Sequence, residues 1–215
     1  MSSTVTVMGP SADPLVALAA RPLYASGGIA TVLYWALYTV WIAGEVVILI
    51  RSLFRRGATS RDRGSFVVVF GSIFVGFTLG GFLVASFPAA AISAGREYVF
   101  GLALALMAAG ILLRFYSVIV LDRFFTPVVM VGGDQHVVDT GPYRWIRHPS
   151  YAGLLVTITG ALLAATNWMS LFGLLPILVG LWYRMGVEER ALSQALGEAY
   201  RRYMARTKRL IPGVY

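Results

Sequence analysis

The segment Gly141–Gly153 concentrates residue types that can do chemistry. It reads Gly-Pro-Tyr-Arg-Trp-Ile-Arg-His-Pro-Ser-Tyr-Ala-Gly, with two Arg, one His, two Tyr and one Trp. A segment that only joined two helices would not need these side chains. It lies between a polar stretch and an uncharged apolar run that ends at Arg184. Tyr143, His148 and Tyr151 are therefore candidate site residues.

Arg184, Glu188 and Glu189 follow that apolar run. Arg184 and Glu188 lie on one face of a helix, about one turn apart. An arginine and a carboxylate above a lipid-facing cavity suit a cofactor that carries both charges, together with an amphiphilic acceptor. A salt bridge at a helix end also explains the pair. The sequence has neither Gly-x-Gly-x-x-Gly nor a Walker loop, so a nucleotide-like cofactor is not held as in most soluble enzymes.

The composition is that of an integral membrane protein. Hydrophobic residues make up 58% and charged residues 13% of the 215 residues, and the mean hydropathy is +0.73. Soluble domains carry roughly 25% charged residues. The chain has no Cys and only two His, far apart in sequence, so we expect no metal site. The net charge of +8 indicates contact with anionic membrane lipids rather than nucleic acid.

We therefore predict an all-α integral membrane protein with about five transmembrane helices and a C-terminal cytoplasmic amphipathic helix. At about 20 to 25 residues per span, the chain length allows five or six spans. The predicted organisation is an N-terminal tail over 1–27, three transmembrane helices over 28–121, and a loop, transmembrane hairpin and C-terminal helix over 122–215. The distribution of Lys and Arg predicts an outside N-terminus and a cytoplasmic C-terminus.

Long apolar runs define the predicted spans, which cover about residues 29–50, 65–87 and 98–121. The apolar run after Arg147 predicts a tight helical hairpin that turns near Asn167. Pro149 suits the first turn of its first helix, where no amide hydrogen bond is lost. Apolar residues at helical spacing over 187–206 predict a polar helix that leaves the membrane.

Two charged residues fall inside predicted spans. Glu45 is either a functional residue or, as we favour, lies near a helix end and either extends its side chain to the membrane surface or pairs with a neighbouring Arg. Arg114 either reaches the membrane surface with its side chain or lines an internal cavity. Gly76 and Gly80 form a small-xxx-small pattern, for which we expect close helix packing within the monomer rather than a dimer contact.

Five motifs occur in a fixed order in the C-terminal half: Gly141-x-Tyr143, Arg147-His148-Pro149-Ser150-Tyr151-x-Gly153, Glu188-Glu189, Gly197-x-x-Tyr200-x-x-Tyr203 and Ile211-Pro212. This combination resembles the isoprenylcysteine carboxyl methyltransferase family, which belongs with the phospholipid methyltransferases. The resemblance covers the chain from about Arg114 onward. It implies an integral-membrane enzyme that binds S-adenosylmethionine between its last helices and the loop before them, within 122–215.

Carried over position by position, the resemblance implies which residues hold the cofactor: Gln135, His136, Val137, Val138, Tyr143, His148, Pro149, Ser150, Tyr151 and Glu188. Glu188 would bind the amino acid end, and aromatic faces near a sulfonium are favourable through cation–π attraction. Arg184 corresponds to the family's substrate-binding Arg and is the predicted catalytic and substrate-binding residue. Arg114 is the second predicted substrate-binding residue.

The implied reaction is an in-line displacement at the cytoplasmic membrane boundary. A lipophilic acceptor would enter from the bilayer through a gap between helices, and the cofactor from the cytosol. A carboxylate acceptor is already ionised at pH 7, whereas an amine, thiol or phenol needs a base, for which His148 is the nearest candidate. The acceptor stays open among a prenylcysteine, a phospholipid, an isoprenoid acid and a small lipophilic thiol. We favour a small lipophilic molecule or a prenylcysteine analogue.

Two other classes remain as alternatives. Membrane sterol reductases have a similar C-terminal pattern and use NADPH, but they usually have more spans than this chain allows. A non-enzymatic transporter fits the composition, with Glu45 and Arg114 on its polar path. Substitution of Glu188 separates an enzyme that binds S-adenosylmethionine from a transporter, in which substitution of Glu45 would be the damaging change.

Overall fold

The computed structural model describes residues 22–53, 59–60, 64–122, 130–131 and 137–213. Within these ranges the chain forms the α-helices α1 (Gly28–Leu53), α2 (Ser65–Ser86), α3 (Arg96–Leu121), α4 (Pro149–Leu163), α5 (Leu174–Leu196) and α6 (Glu198–Arg206). Short 3-10 helices cover Leu23–Ala25, Pro88–Ala90, Gly141–Arg144 and Trp168–Gly173. Strand β1 (Thr59–Ser60) pairs antiparallel with β2 (Met130–Val131). The predicted all-α class is confirmed.

The helix lengths confirm a multi-pass membrane protein. In the described part of the chain, four helical segments are long and apolar enough to cross a bilayer: Gly28–Arg51, Ser65–Ser86, Arg96–Leu121 and Trp168–Leu196. Helix α4, the remaining predicted span, has 15 residues. At 1.5 Å per residue it is only about 22 Å long, which is less than the roughly 30 Å hydrocarbon core. Helix α4 is therefore shorter than that core.

Helices α3 and α4 pack closely because small residues face each other. A Cβ added at Gly110 would lie 2.6 Å from the carbonyl oxygen of Gly153, and one at Gly153 would lie 2.6 Å from the amide nitrogen of Arg114. Helix α2 packs on α5 and on the 3-10 helix before it, where a Cβ at Gly76 would lie 2.5 Å from Gly173 O. The expectation that Gly76 and Gly80 pack within the monomer is confirmed for both glycines, since Gly80 faces Ser170.

Connections gather at two opposite ends of the bundle. The β1–β2 pair joins the connection after α1 to the connection after α3. At the other end, the amide of Ile92 donates to Thr166 O at 2.8 Å, and Asn167 Nδ2 donates to Phe87 O at 3.1 Å. The helices thus run up and down, and the hairpin turns at Asn167 as predicted. The assignment of the first end to the cytoplasm stays a prediction.

The C-terminal helix differs from its prediction. Helix α5 continues to Leu196, and Gly197 takes φ 56° and ψ −127° before α6 begins. Left-handed backbone of this kind is readily adopted by glycine and breaks the helix. The continuous helix predicted over 187–206 is therefore wrong. Only α6, with Tyr200 and Tyr203 buried, forms the separate amphipathic piece.

Candidate functional site

Tyr151 joins the two charged residues that the sequence placed on one helix face. Its hydroxyl donates to Glu188 Oε2 at 2.7 Å and accepts a hydrogen bond from Arg184 Nε at 3.0 Å. Arg184 Nε and Glu188 Oε2 lie 4.0 Å apart, so their direct ion pair is long. The side chain of Arg184 is 2% exposed and that of Glu188 is 25% exposed. The hydroxyl of Tyr151 thus bridges the buried cation of Arg184 and the more accessible carboxylate of Glu188.

Arg184 also reaches the start of α2. Its Nη1 donates to the hydroxyl of Ser65 at 2.6 Å, and Ser65 is fully buried. The contact links α5 to α2 across 119 positions of sequence. The hydroxyls of Tyr151 and Ser65 therefore fix the direction of the Arg184 guanidinium.

Glu45 and Arg114 form a second polar centre. Arg114 donates from Nε to Glu45 Oε1 and from Nη2 to Glu45 Oε2, each at 2.9 Å, in the bidentate geometry that suits a carboxylate. Arg114 Nη1 also donates to the hydroxyl of Ser150. Of the two alternatives in the favoured expectation for Glu45, the structure shows pairing with an Arg, which is Arg114 of α3. Arg114 is 7% exposed and its charge is balanced by this partner.

An apolar cavity of about 370 Å³ lies between α1 and α2, and both arginines line it. Helix α1 contributes Tyr38, Trp41, Ile42 and Glu45, and α2 contributes Phe66, Val69, Phe70, Ile73, Phe74 and Phe77. Tyr151, Leu154 and Arg184 complete the wall. Phe74 is 73% exposed on the outer face of the bundle. The cavity therefore borders the lipid, and its polar groups lie at one end.

The sequence builds these walls by spacing. The α1 residues follow one another by three, one and three positions, and the α2 residues repeat the same rhythm over three turns. Residues at such intervals share one helix face. Two facing stripes rich in aromatic side chains thus enclose the cavity. That rhythm is the sequence signal from which these cavity walls could have been predicted.

Glu189 has a different environment from its neighbour Glu188. It accepts hydrogen bonds from Arg147 Nε at 2.9 Å and from Arg209 Nη2 at 2.6 Å, and His148 Nε2 lies 3.3 Å from Oε1. Successive helical residues point about 100° apart. Glu189 thus faces the C-terminal segment, while Glu188 faces Tyr151. Of these two glutamates, Glu188 is the one that lies beside the cavity-lining residues Tyr151 and Arg184.

The C-terminal segment ties the motif segment in place. The amide of Arg147 donates to Lys208 O at 2.7 Å, and that of His148 donates to Arg209 O at 3.0 Å. The His148 ring stacks on Tyr151, with centroids 5.4 Å apart and an interplanar angle of 22°. The fixed backbone and the stack hold the Tyr151 ring beside Glu188. The Ile211-Pro212 motif begins two residues after Arg209.

Of the remaining predicted cofactor residues, the structure describes Val137, Val138, Tyr143, Pro149 and Ser150. Pro149 is buried at the first position of α4, as predicted. Tyr143 is 6% exposed, and burial followed by the nearby Glu188 raises the pKa of its phenol well above the usual range. Val137 and Val138 are half-buried. Gln135 and His136 lie outside the described residues. At neutral pH Tyr143 is therefore a hydrogen-bond donor and not a base.

Residues 103–194 match the model of the isoprenylcysteine carboxyl methyltransferase family. Similar proteins include the protein-S-isoprenylcysteine O-methyltransferase B of Arabidopsis thaliana, 30% identical over 118 residues that make up 54% of this chain and 59% of the relative. A probable protein-S-isoprenylcysteine O-methyltransferase of Oryza sativa subsp. japonica is 30% identical over 122 residues, 54% of this chain and 64% of the relative.

A solved structure of a eukaryotic intramembrane Ras methyltransferase, an isoprenylcysteine carboxyl methyltransferase, shares the fold with a TM-score of 0.59. It is 18% identical, and the alignment covers 93% of this chain and 73% of that chain. The resemblance that the motifs predicted is confirmed, and the likeness of fold extends to the first two helices. The chain spans less than two thirds of the length of the curated relatives it matches.

Proposed function

We propose that this protein is an integral-membrane methyltransferase that uses S-adenosylmethionine to methylate the carboxylate of a lipophilic acceptor of the isoprenylcysteine type. The observation that carries the proposal is the Tyr151 bridge. It places Glu188, the predicted cofactor carboxylate, within 4.0 Å of Arg184, at the polar end of a cavity that borders the lipid. We assign this end of the bundle to the cytoplasmic boundary of the membrane.

The residues around Glu188 fit the chemistry of S-adenosylmethionine. A partly exposed carboxylate attracts an ammonium group, and the stacked rings of His148 and Tyr151 offer faces to a sulfonium. When bound, S-adenosylmethionine supplies a methyl group on that sulfonium, which an ionised carboxylate accepts without a proton transfer. Tyr143 completes the aromatic lining as a neutral donor. The contacts of Gln135 and His136 with the cofactor stay predictions from the family resemblance.

Arg184 is the residue that would bind the acceptor. Its guanidinium lines the cavity, and two hydroxyls orient it. A carboxylate at this position would gain a charge-assisted contact, while its apolar chain lies between α1 and α2. The chain supplies position and exclusion of water, and it needs no general base. His148 is free of that task because it lies against Glu189.

Arg114 acts on the acceptor in a different manner. Because Glu45 balances its charge, Arg114 contributes a polar wall and no strong anion site. The anionic head group of the acceptor is therefore directed to Arg184 and not to Arg114. A phospholipid amine would bring a cationic head group to Arg184, and its two acyl chains would have to share a cavity of about 370 Å³. We therefore favour an acid with a single apolar chain.

Methyl transfer to a defined acceptor tests the proposal. The full chain in lipid nanodiscs is incubated with methyl-labelled S-adenosylmethionine and an N-acetylated S-isoprenylcysteine. We expect a labelled methyl ester, which base hydrolyses to labelled methanol. Glu188→Gln should abolish the product, whereas Glu198→Gln, at an exposed carboxylate on α6, should not. Label in a base-stable product, or none with the wild type, would contradict carboxyl methylation.

A further inference from the structure

The far end of the cavity is closed by aromatic rings. Trp41 is 3% exposed, and its ring lies 5.6 Å from that of Tyr38 and 6.3 Å from that of Phe77, measured between centroids. All three residues line the cavity. Among the described residues of α1 and α2, these are the lining positions farthest along the helices from the end where Arg184 meets Ser65. The rings thus form a floor opposite the polar end.

The floor rests on rigid structure. Tyr38 and Phe77 pack both on the core cluster that contains Trp41 and on a second cluster that contains Tyr34, Phe100 and Met107. Packed interiors do not yield freely to added volume. A chain that reaches the rings can therefore lengthen only by displacing them or by leaving the cavity through its lipid-facing side.

The cavity has a defined depth along α2. Phe66 and Phe77 mark its two ends on that helix, which at 1.5 Å per residue corresponds to about 16 Å. Its volume of about 370 Å³ is near the lower limit for ligand sites. A single extended apolar chain, anchored at Arg184, would occupy this length.

We propose that Trp41, together with Phe77, sets the longest apolar chain that the acceptor site accepts. The inference rests on the proposed function, because it takes the carboxylate of a single-chain acid to be held at Arg184. Each methylene that moves from water into the apolar cavity should tighten binding about fourfold, when affinity is referred to the free aqueous probe. Once the chain touches the rings, further methylenes should add nothing or weaken binding.

Trp41 is well suited to substitution. Its indole nitrogen has no hydrogen-bond partner among the described residues, so removal of the ring leaves no described acceptor without its donor. Trp35 provides the matched control. It lies on the same helix, is 48% exposed and is absent from the cavity lining. Ile73 lies midway along the wall and allows the opposite change, since the larger side chain in Ile73→Phe would shorten the cavity.

The experiment measures equilibrium binding of N-acetyl-S-alkylcysteines of increasing chain length to the full chain in nanodiscs. Partition of the probes into lipid is the same for every variant, so affinities are compared between variants at each length. We expect the wild-type affinity to rise and then break at one length. Trp41→Leu and Phe77→Leu should move the break to longer chains, Ile73→Phe should move it to shorter chains, and Trp35→Leu should leave it in place.

The outcomes separate this inference from the proposed function. A break at the wild-type length in both Trp41→Leu and Phe77→Leu would overturn the assignment of the floor while leaving the acceptor site intact. Failure of the wild type to bind any member of the series would contradict the acceptor assignment itself, and the inference with it. If Trp41→Leu does not fold, Phe77→Leu and Ile73→Phe still decide the question through their opposite shifts.

Discussion

Arg114 and Arg184 line the same cavity and are both buried, yet they contact different partners. Arg114 holds the carboxylate of Glu45 in a bidentate pair. Arg184 is oriented by the hydroxyls of Ser65 and Tyr151, and Glu188 lies 4.0 Å away. A buried charge is tolerated when it is paired, and a carboxylate pairs with Arg114 at close range. We therefore expect the first centre to stabilise the fold and propose that the second serves function.

The largest expected effect follows from breaking the first centre. Glu45→Ala leaves Arg114 buried without its carboxylate, which should lower the free energy of unfolding by about 3–5 kcal/mol. Thermal unfolding of the detergent-purified protein measures this loss. Glu97→Ala, at an exposed carboxylate, is the control. The double substitution Glu45→Leu with Arg114→Leu should recover most of the stability, and a single variant as stable as the wild type would show that the pair does not hold the helices.

Substitution of Arg184 in the second centre should lower turnover and not the stability of the fold. Arg184→Ala should reduce turnover about 100- to 1,000-fold, as when a group that binds a developing or reacting anion is removed. The affinity for S-adenosylhomocysteine should stay nearly intact, because Tyr151 can still donate to Glu188. Arg184→Lys should recover only part of the rate, since a single ammonium cannot replace the fork. Parallel loss of cofactor affinity and turnover would contradict the assignment of Arg184 to the acceptor.

A smaller effect should come from the residue that orients Arg184. Ser65→Ala removes a hydrogen bond to a charged group, which is worth about 1.5–3 kcal/mol. We expect a rise of at least about tenfold in the KM for the acceptor, with cofactor affinity unchanged. Ser72→Ala on the same helix is the control, because its hydroxyl only donates to Val69 O. Equal kinetics for the two variants would remove Ser65 from the site.

The smallest effect belongs to a surface pair. Arg206 contacts Asp139, but the two side chains are 61% and 44% exposed. Exposed pairs contribute about 0–1 kcal/mol. Arg206→Ala should therefore change neither turnover nor the unfolding temperature appreciably. A loss comparable to that of Glu45→Ala would mean that burial does not separate the ion pairs of this protein.

Local patterns predicted the fold well. Long apolar runs predicted the three N-terminal helices, and turn residues predicted the hairpin that begins at Pro149 and turns at Asn167. The continuous C-terminal helix was wrong because apolar spacing continues through Gly197, whose backbone conformation the pattern does not register. Periodicity thus locates helices better than it locates their breaks.

Long-range partners were beyond local patterns. Glu45 and Arg114 are 69 positions apart, and Ser65 and Arg184 are 119 apart, so no helical spacing relates them. The neighbours Glu188 and Glu189 have the same chemistry, and their environments differ because they point in different directions, Glu188 to Tyr151 and Glu189 to Arg147, His148 and Arg209. The roles given to the cofactor residues remain predictions from the family resemblance.

The most direct test of the account is calorimetric titration of the purified protein with S-adenosylhomocysteine and, separately, with NADPH. We expect the wild type to bind S-adenosylhomocysteine, Glu188→Gln to lose this binding and Glu198→Gln to keep it. We expect no binding of NADPH. Binding of NADPH alone, or unchanged affinity for S-adenosylhomocysteine in Glu188→Gln, would contradict the central claim that Glu188 holds the methyl donor.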